Sequence, residues 1–131
     1  MIIAMNKTHF LNIDLDIESE KDIAPLVQEL SQKLIEMTYH NCEGIYRASF
    51  ESSKSEMEDI IAAYISAIRE LTFEAKCLWD GCIKREFNVG FQAENRPRSY
   101  EKSISSRSLS EIASVGGQIG ITIYAPESNF I

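Results

Sequence analysis

The chain has little of what marks the familiar site chemistries. Its cysteines, Cys42, Cys77 and Cys82, are odd in number and form no Cys-x-x-Cys pair, which excludes a secreted disulfide framework and a paired-cysteine zinc module. Only His9 and His40 are present to serve as imidazole bases, and no Ser-His-Asp or Cys-His-Asn order stands out. His40 and Cys42 offer one ligand pair where a structural zinc wants four ligands. No glycine-rich phosphate cradle occurs. No apolar run is long enough to span a membrane, and the opening Met1-Ile2-Ile3-Ala4-Met5 is too short for the apolar stretch of a signal peptide and has no basic flank. Positive charge is scarce: 13 Lys and Arg stand against 20 Asp and Glu, for a net charge of −7. The diffuse basic footprint of a nucleic-acid binder is therefore missing. Together these absences predict a cytoplasmic protein with no metal, no cofactor, no nucleic-acid partner and no membrane association.

What is present is ordinary globular material. A chain of 131 residues, 44% hydrophobic and 25% charged, is long enough to bury a core without staples, and it reads as a single domain over 1–131. Met5-Asn6-Lys7-Thr8 reads as an alternative start to Met1. The charge is uneven: residues 12–74 hold 14 acids and 5 bases, whereas residues 75–131 hold 6 acids and 7 bases. The acidity belongs to the first half.

Alternation from Phe10 to Ile17 puts Leu11, Ile13, Leu15 and Ile17 on one side of a strand and Asn12, Asp14 and Asp16 on the other. Asp22 is placed to cap a helix carrying Ile23, Leu26, Val27, Leu30 and Leu34, with Pro25 in the first turn, where its missing N–H does no harm. Ile35, Met37 and Tyr39 switch to period two, and after His40-Asn-Cys-Glu-Gly44 so do Tyr46, Ala48 and Phe50, which predicts a hairpin. Ser55 and Glu58 have capping-box spacing at the head of a helical stripe running from Met57 to Leu71. Ala75, Leu78, Trp79 and Cys82 predict a short helix stopping near Gly81, and Phe87, Val89 and Phe91 a strand. Residues 93–107 lack periodicity and read as a long surface loop. Ser108 and Glu111 repeat the capping-box spacing, Gly116-Gly117 supply a stop, and Ile119, Ile121 and Ile123 form the last strand. The order βαββα(α)β followed by αβ predicts an α+β fold: a ferredoxin-like βαββαβ core with an additional C-terminal helix and strand. Helices would cover one face of a largely antiparallel sheet in a two-layer sandwich and leave the other face polar.

That polar face is the largest candidate surface. It would gather Asp14, Asp16, Glu36, Arg47, Glu51, Glu86 and Asn88, with Asn12, Thr38, Ser49, Gln92, Thr122 and Tyr124 among them. Ordinary solvation of an antiparallel sheet explains such a face, and so does docking of a basic partner. Asp14 and Asp16, two residues apart on one strand side, are the pair that would share a cation or divide acid and base roles, although no third converging group is evident. The segment Lys84–Arg107 is the one basic region, with six bases against three acids. Within it Arg96, Arg98, Tyr100 and Lys102 form a candidate anion site, arginine supplying paired donors and tyrosine a stacking surface.

The C-terminal Leu109-Ser-Glu-Ile-Ala-Ser-Val-Gly116 and Ile121-Thr-Ile-Tyr-Ala125, together with Asn12-Ile-Asp-Leu-Asp-Ile17 and Asp22-Ile-Ala-Pro-Leu26, resemble a family of small bacterial proteins of unknown function. The resemblance implies a similar fold over about half the chain and brings no catalytic residues with it. The sequence thus predicts a non-catalytic intracellular binding protein, an immunity-type or regulatory partner of a basic protein, working through the polar sheet face. The alternative is a small-molecule or anion binder, or an enzyme, with a pocket between that face and the 93–107 loop.

Overall fold

The central strand, β1 (His9–Ser19), is paired on both edges, and its inward residues Ile13, Leu15 and Ile17 are almost fully buried. In the computed structural model, which describes residues 7–126, it is followed by α1 (Ala24–Leu30), β2 (Ile35–Cys42), β3 (Ile45–Glu51), α2 (Met57–Arg69), α3 (Phe73–Asp80), β4 (Lys84–Gln92), α4 (Ser106–Ser114) and β5 (Gln118–Tyr124). The alternative starts Met1 and Met5 lie outside the described residues. The strands form one sheet in the order β2-β3-β1-β4-β5. β1 is antiparallel to β3 and β4, and β2 is antiparallel to β3, so β1 and β2 run parallel with β3 between them. β5 joins β4 in parallel, through the crossover helix α4. The described residues therefore form a mixed α+β fold of five strands and four helices. Among the described residues no helix is long and apolar enough to cross a membrane.

All four helices and one side of the sheet share a single core. Ile13, Leu15, Ile17, Phe50, Phe87 and Val89 from the strands meet Leu26, Ile60, Tyr64, Trp79 and Ile112 from the helices. Tyr64 closes the open end of the β1–β3 ladder: its hydroxyl donates to the carbonyls of Ile13 and Phe50. The Trp79 indole donates to the Val115 carbonyl at 2.8 Å, tying α3 to the end of α4.

Two bulges correct the alternation read from the sequence. In β1 the register shifts between Phe10 and Asn12. Phe10, opposite Phe91, takes the core-side position, while the extra residue Leu11 turns out and is 45% exposed. In β2 the register shifts between Glu36 and Thr38, so Glu36 falls opposite the core residue Phe50, and Thr38 opposite Ser49 on the polar face. A bulge adds one unpaired residue and so changes which face every residue beyond it occupies. Strict period-two counting across either position assigns sides wrongly.

The helix starts differ from the expected caps for a common reason. Asp22 does not cap α1; it accepts from the Ala24 N–H and from the Tyr39 hydroxyl at 2.6 Å, and the helix begins after Ile23. Neither Ser55–Glu58 nor Ser108–Glu111 forms a box within its own helix. α2 starts after Glu56 without a side-chain cap, and α4 starts earlier than expected, after Ser105, whose Oγ accepts from the Ser108 N–H. Glu58 reaches from α2 to accept from the Ser105 N–H and hydroxyl. Glu29 does the same from α1 for Thr72, the N-cap of α3, accepting from its N–H at 2.9 Å and from its hydroxyl. The carboxylate of each box is supplied by a neighbouring helix. The hairpin turn is Glu43-Gly44, with φ of 53° and 90°, the double left-handed geometry that matches strand twist.

Candidate functional site

The face of the sheet away from the helices is assembled by register. Asp14 lies opposite Asn88, and Asp16 opposite Glu86 on one side and Ser49 on the other. Glu18 pairs with Lys84 and Arg47. At the end of the face holding Glu18, charges are neutralised. Glu18 accepts Arg47 at 3.3 Å and Lys84 at 3.8 Å, and Lys84 also reaches Glu86 at 3.6 Å. Glu18, Arg47 and Lys84 border a shallow depression of about 200 Å³, shared with Thr38, His40, Asp16 and Ser49.

The opposite end is different. A cleft of about 610 Å³ is lined by Leu11, Asn12, Asp14, Glu51, Asn88, Gly90, Gln92, Tyr124 and Ala125. Leu11 reaches it because of the β1 bulge, and Gly90 lies opposite that bulge, where a Cβ would stand 3.6 Å from the Asn12 carbonyl and 3.8 Å from the Tyr124 ring. Its missing side chain deepens the floor. The polar side chains are oriented by one another: the Asn12 amide donates to Asp14 at 3.1 Å, Ser49 to Asp16 at 2.7 Å, and Thr122 to Asn88 at 2.9 Å. The Asn88 amide and the Gln118 amide donate to Glu86, whose carboxylate lies over Gly120.

Among the described residues, Asp14, Asp16 and Glu51 make no ion pair. Partial burial pushes the Asp14 carboxyl up to about 6, with the neighbouring charges of Asp16 and Glu51 adding to the effect. Asp16 is also raised by burial, and the Ser49 hydrogen bond and Lys84 hold it back. Like charges gathered in a half-dry cleft disfavour ionisation, and a cation entering that cleft would relieve them. No group of three or more His, Cys, Asp or Glu side chains among the described residues is disposed to hold a metal ion.

Of the sequence-predicted face residues, Asp14, Glu51 and Asn88 line the cleft; Asp16 and Arg47 line the neighbouring depression, and Glu86 lies on β4 between Lys84 and Asn88. Glu36 does not join them: the β2 bulge turns it toward α1, where it accepts from the Ser31 hydroxyl at 3.0 Å. Leu11, Gly90 and Ala125 were not legible as site residues, although a lone glycine inside a strand is a signal for a bulge or a close approach. The loop residues lie elsewhere. The Tyr100 ring packs edge-on against Phe91 at 5.8 Å, and the Lys102 ammonium lies 5.9 Å from the Phe10 ring, both on aromatics that pack against the core. Arg96 and Arg98 are exposed, the Arg96 carbonyl accepting from Thr8 at 2.7 Å. No residue of 93–107 lines the cleft. Arg85, counted with the basic region, donates to carbonyls at the ends of two helices: Trp79 and Asp80 in the last turn of α3, Cys82 just beyond it, and Gly116 after α4.

The chain matches no protein-family model, no curated protein and no solved structure. The site is therefore read from its own residues.

Proposed function

We propose that this protein is a non-catalytic intracellular binding protein, an immunity-type or regulatory partner, that receives a basic protein on the polar sheet face. The observation that carries the reading is the presence in one cleft of Asp14 and Glu51 with no ion pair among the described residues, beside an end of the same face where Glu18 is neutralised by Arg47 and Lys84. A lysine or arginine side chain of the partner would enter beside the two carboxylates, its stem against Leu11 and Tyr124, with Asp16, Glu86 and Asn88 bordering the contact and Arg47 setting orientation. Opposed potentials of this kind raise the association rate and select among partners. The scaffold belongs to the same reading: β3 between the parallel β1 and β2, with β4 on the far side of β1, supports a ferredoxin-like, split-βαβ reading of the first four strands in a two-layer sandwich.

The test is capture from the native host by the wild-type chain and by the Asp14→Asn/Glu51→Gln variant in parallel. A basic protein retained by the wild type, released by added salt and bound at least about tenfold more weakly by the variant is the expected result. Equal binding by both chains would overturn the reading.

A second reading is favoured by the size of the cleft, which lies within the range of small-ligand sites, about 300–1,000 Å³. In it a cationic metabolite replaces the partner's side chain, and a thermal-shift screen in which small amines stabilise the wild type but not Asp14→Asn/Glu51→Gln would support it. The anion-binding role of Arg96, Arg98, Tyr100 and Lys102 then belongs to a ligand outside the cleft, and Arg96→Ala with Arg98→Ala leaves cleft binding unchanged.

A further inference from the structure

Among the described residues the sheet has two edge strands, β2 and β5, and they are built differently. β2 is interrupted by its bulge and carries Glu36 and His40, devices that discourage the addition of another strand. β5, Gln118-Ile-Gly-Ile-Thr-Ile-Tyr124, has no charged residue and no proline, and its register with β4 runs unbroken from Gln118 to Tyr124. Ile119 is packed against the core, but Ile121 and Ile123 on the same side are 64% and 65% exposed. An open strand edge presents backbone donors and acceptors that only another extended segment satisfies in series.

We propose that β5 pairs antiparallel with β5 of a second copy of this chain, about a two-fold axis at Ile121, to give a continuous ten-stranded sheet. The strand is self-complementary in that register. Ile121 faces its own counterpart, Ile119 faces Ile123, Gly120 faces Thr122 and Gln118 faces Tyr124, so apolar residues meet apolar ones on one side and uncharged polar ones meet on the other. Two copies each of net charge −7 would ordinarily repel, but the carboxylates of the cleft are set back from this edge. Asp14 on β1 would stand five strand spacings, about 24 Å, from its counterpart, beyond the screening length of about 8 Å at physiological salt. The Glu86 carboxylate, which lies over Gly120, is held by the Asn88 and Gln118 amides and by Lys84. Seven paired residues make a contact only about 24 Å long, which places the dimer in the small, reversible class of interfaces.

Sedimentation velocity over a wide concentration range, with hydrogen exchange of the β5 amides, tests the pairing. The expected result is a reversible rise toward twice the chain mass, accompanied by slower exchange in β5. Ile121→Lys should weaken association at least about tenfold, because it opposes two like charges at the axis. Ile123→Lys provides a second variant at an exposed site, and far-UV circular dichroism confirms that each remains folded. A wild-type chain that stays monomeric at every concentration overturns the proposal; so does a dimer that both lysine variants leave intact, or one that slows exchange in β2 and not in β5. Asp14→Asn/Glu51→Gln should dimerise like the wild type, so failure of this inference is distinguishable from failure of the basic-partner reading.

Discussion

Glu58 in α2 accepts a hydrogen bond from the hydroxyl of Ser108 in α4, 50 positions further along the chain. The same carboxylate accepts from Ser105, whose own Oγ accepts from the Ser108 N–H. A capping box is thus completed across two helices, and the start of α4 depends on a residue of α2.

Removing the local half of that box should be costly. Ser105→Ala is expected to destabilise the protein by about 1 kcal/mol, the usual cost of losing a serine N-cap, as measured by urea denaturation.

The box should also fail in acid. The Ser108 hydrogen bond, with help from Ser105 and Arg107, holds the Glu58 carboxyl below its ordinary value of 4.5. A carboxyl depressed in the folded state contributes stability that is present above its unfolded pKa and lost as pH falls through its folded one. Protection factors of the amides in the first turn of α4, taken relative to intrinsic exchange at each pH, should therefore fall on acidification below the ordinary glutamate range, and Glu58→Gln should blunt that response.

Asp14 should behave in the opposite sense. With its carboxyl raised to about 6, ionisation opposes folding; the penalty grows as pH rises from the unfolded value toward 6 and is constant above it. Asp14→Asn should stabilise the protein at pH 7 by about 1 kcal/mol, a figure discounted for the exposure of the group. The advantage should vanish below about pH 4. Carboxyl NMR of Asp14 showing an ordinary aspartate midpoint would contradict this account.

Tyr64→Phe should cost about 1–3 kcal/mol, because it leaves the buried carbonyls of Ile13 and Phe50 without the hydroxyl that serves both. The unfolding midpoint in urea should fall while its slope stays constant.

The glycine pair after α4 should separate into two effects. Gly116 has φ of 76°, and the Gly116 and Gly117 N–H groups donate to Ala113 and Ile112 in a Schellman turn. Gly116→Ala should cost about 1 kcal/mol through backbone strain. Gly117→Ala should cost more, since its Cβ would lie 2.8 Å from the Phe87 ring and 3.0 Å from an Ile112 methyl. Thermal unfolding of the two single variants ranks them.

The elements and their order were legible because each carries a periodic stripe, from Ile13, Leu15 and Ile17 in β1 to Ile60, Ile61, Tyr64, Ile65 and Ile68 in α2. The caps were not, because Glu29 and Glu58 act on helices distant in sequence, whereas spacing rules look only three residues ahead. Strand order is likewise a matter of long-range pairing. For the site, Asp14, Glu51 and Asn88 were reached by alternation alone, and Glu36 was misplaced because nothing local announces the β2 bulge. The acidic excess of the first half overstated the free charge: Glu18, Asp22, Glu29, Glu36, Glu58 and Glu70 all have internal partners.

The β1 bulge makes the cleft depend on the count of residues in the strand as well as on their identity. Deleting Leu11 would close the bulge and restore simple alternation, with Phe10 still opposite Phe91 and Asn12 still opposite Gly90. The fold should tolerate that deletion, because Leu11 is nearly half exposed, but the cleft should lose the apolar side chain that the bulge turns into it. The cleft keeps its shape because the strand on its floor is one residue too long.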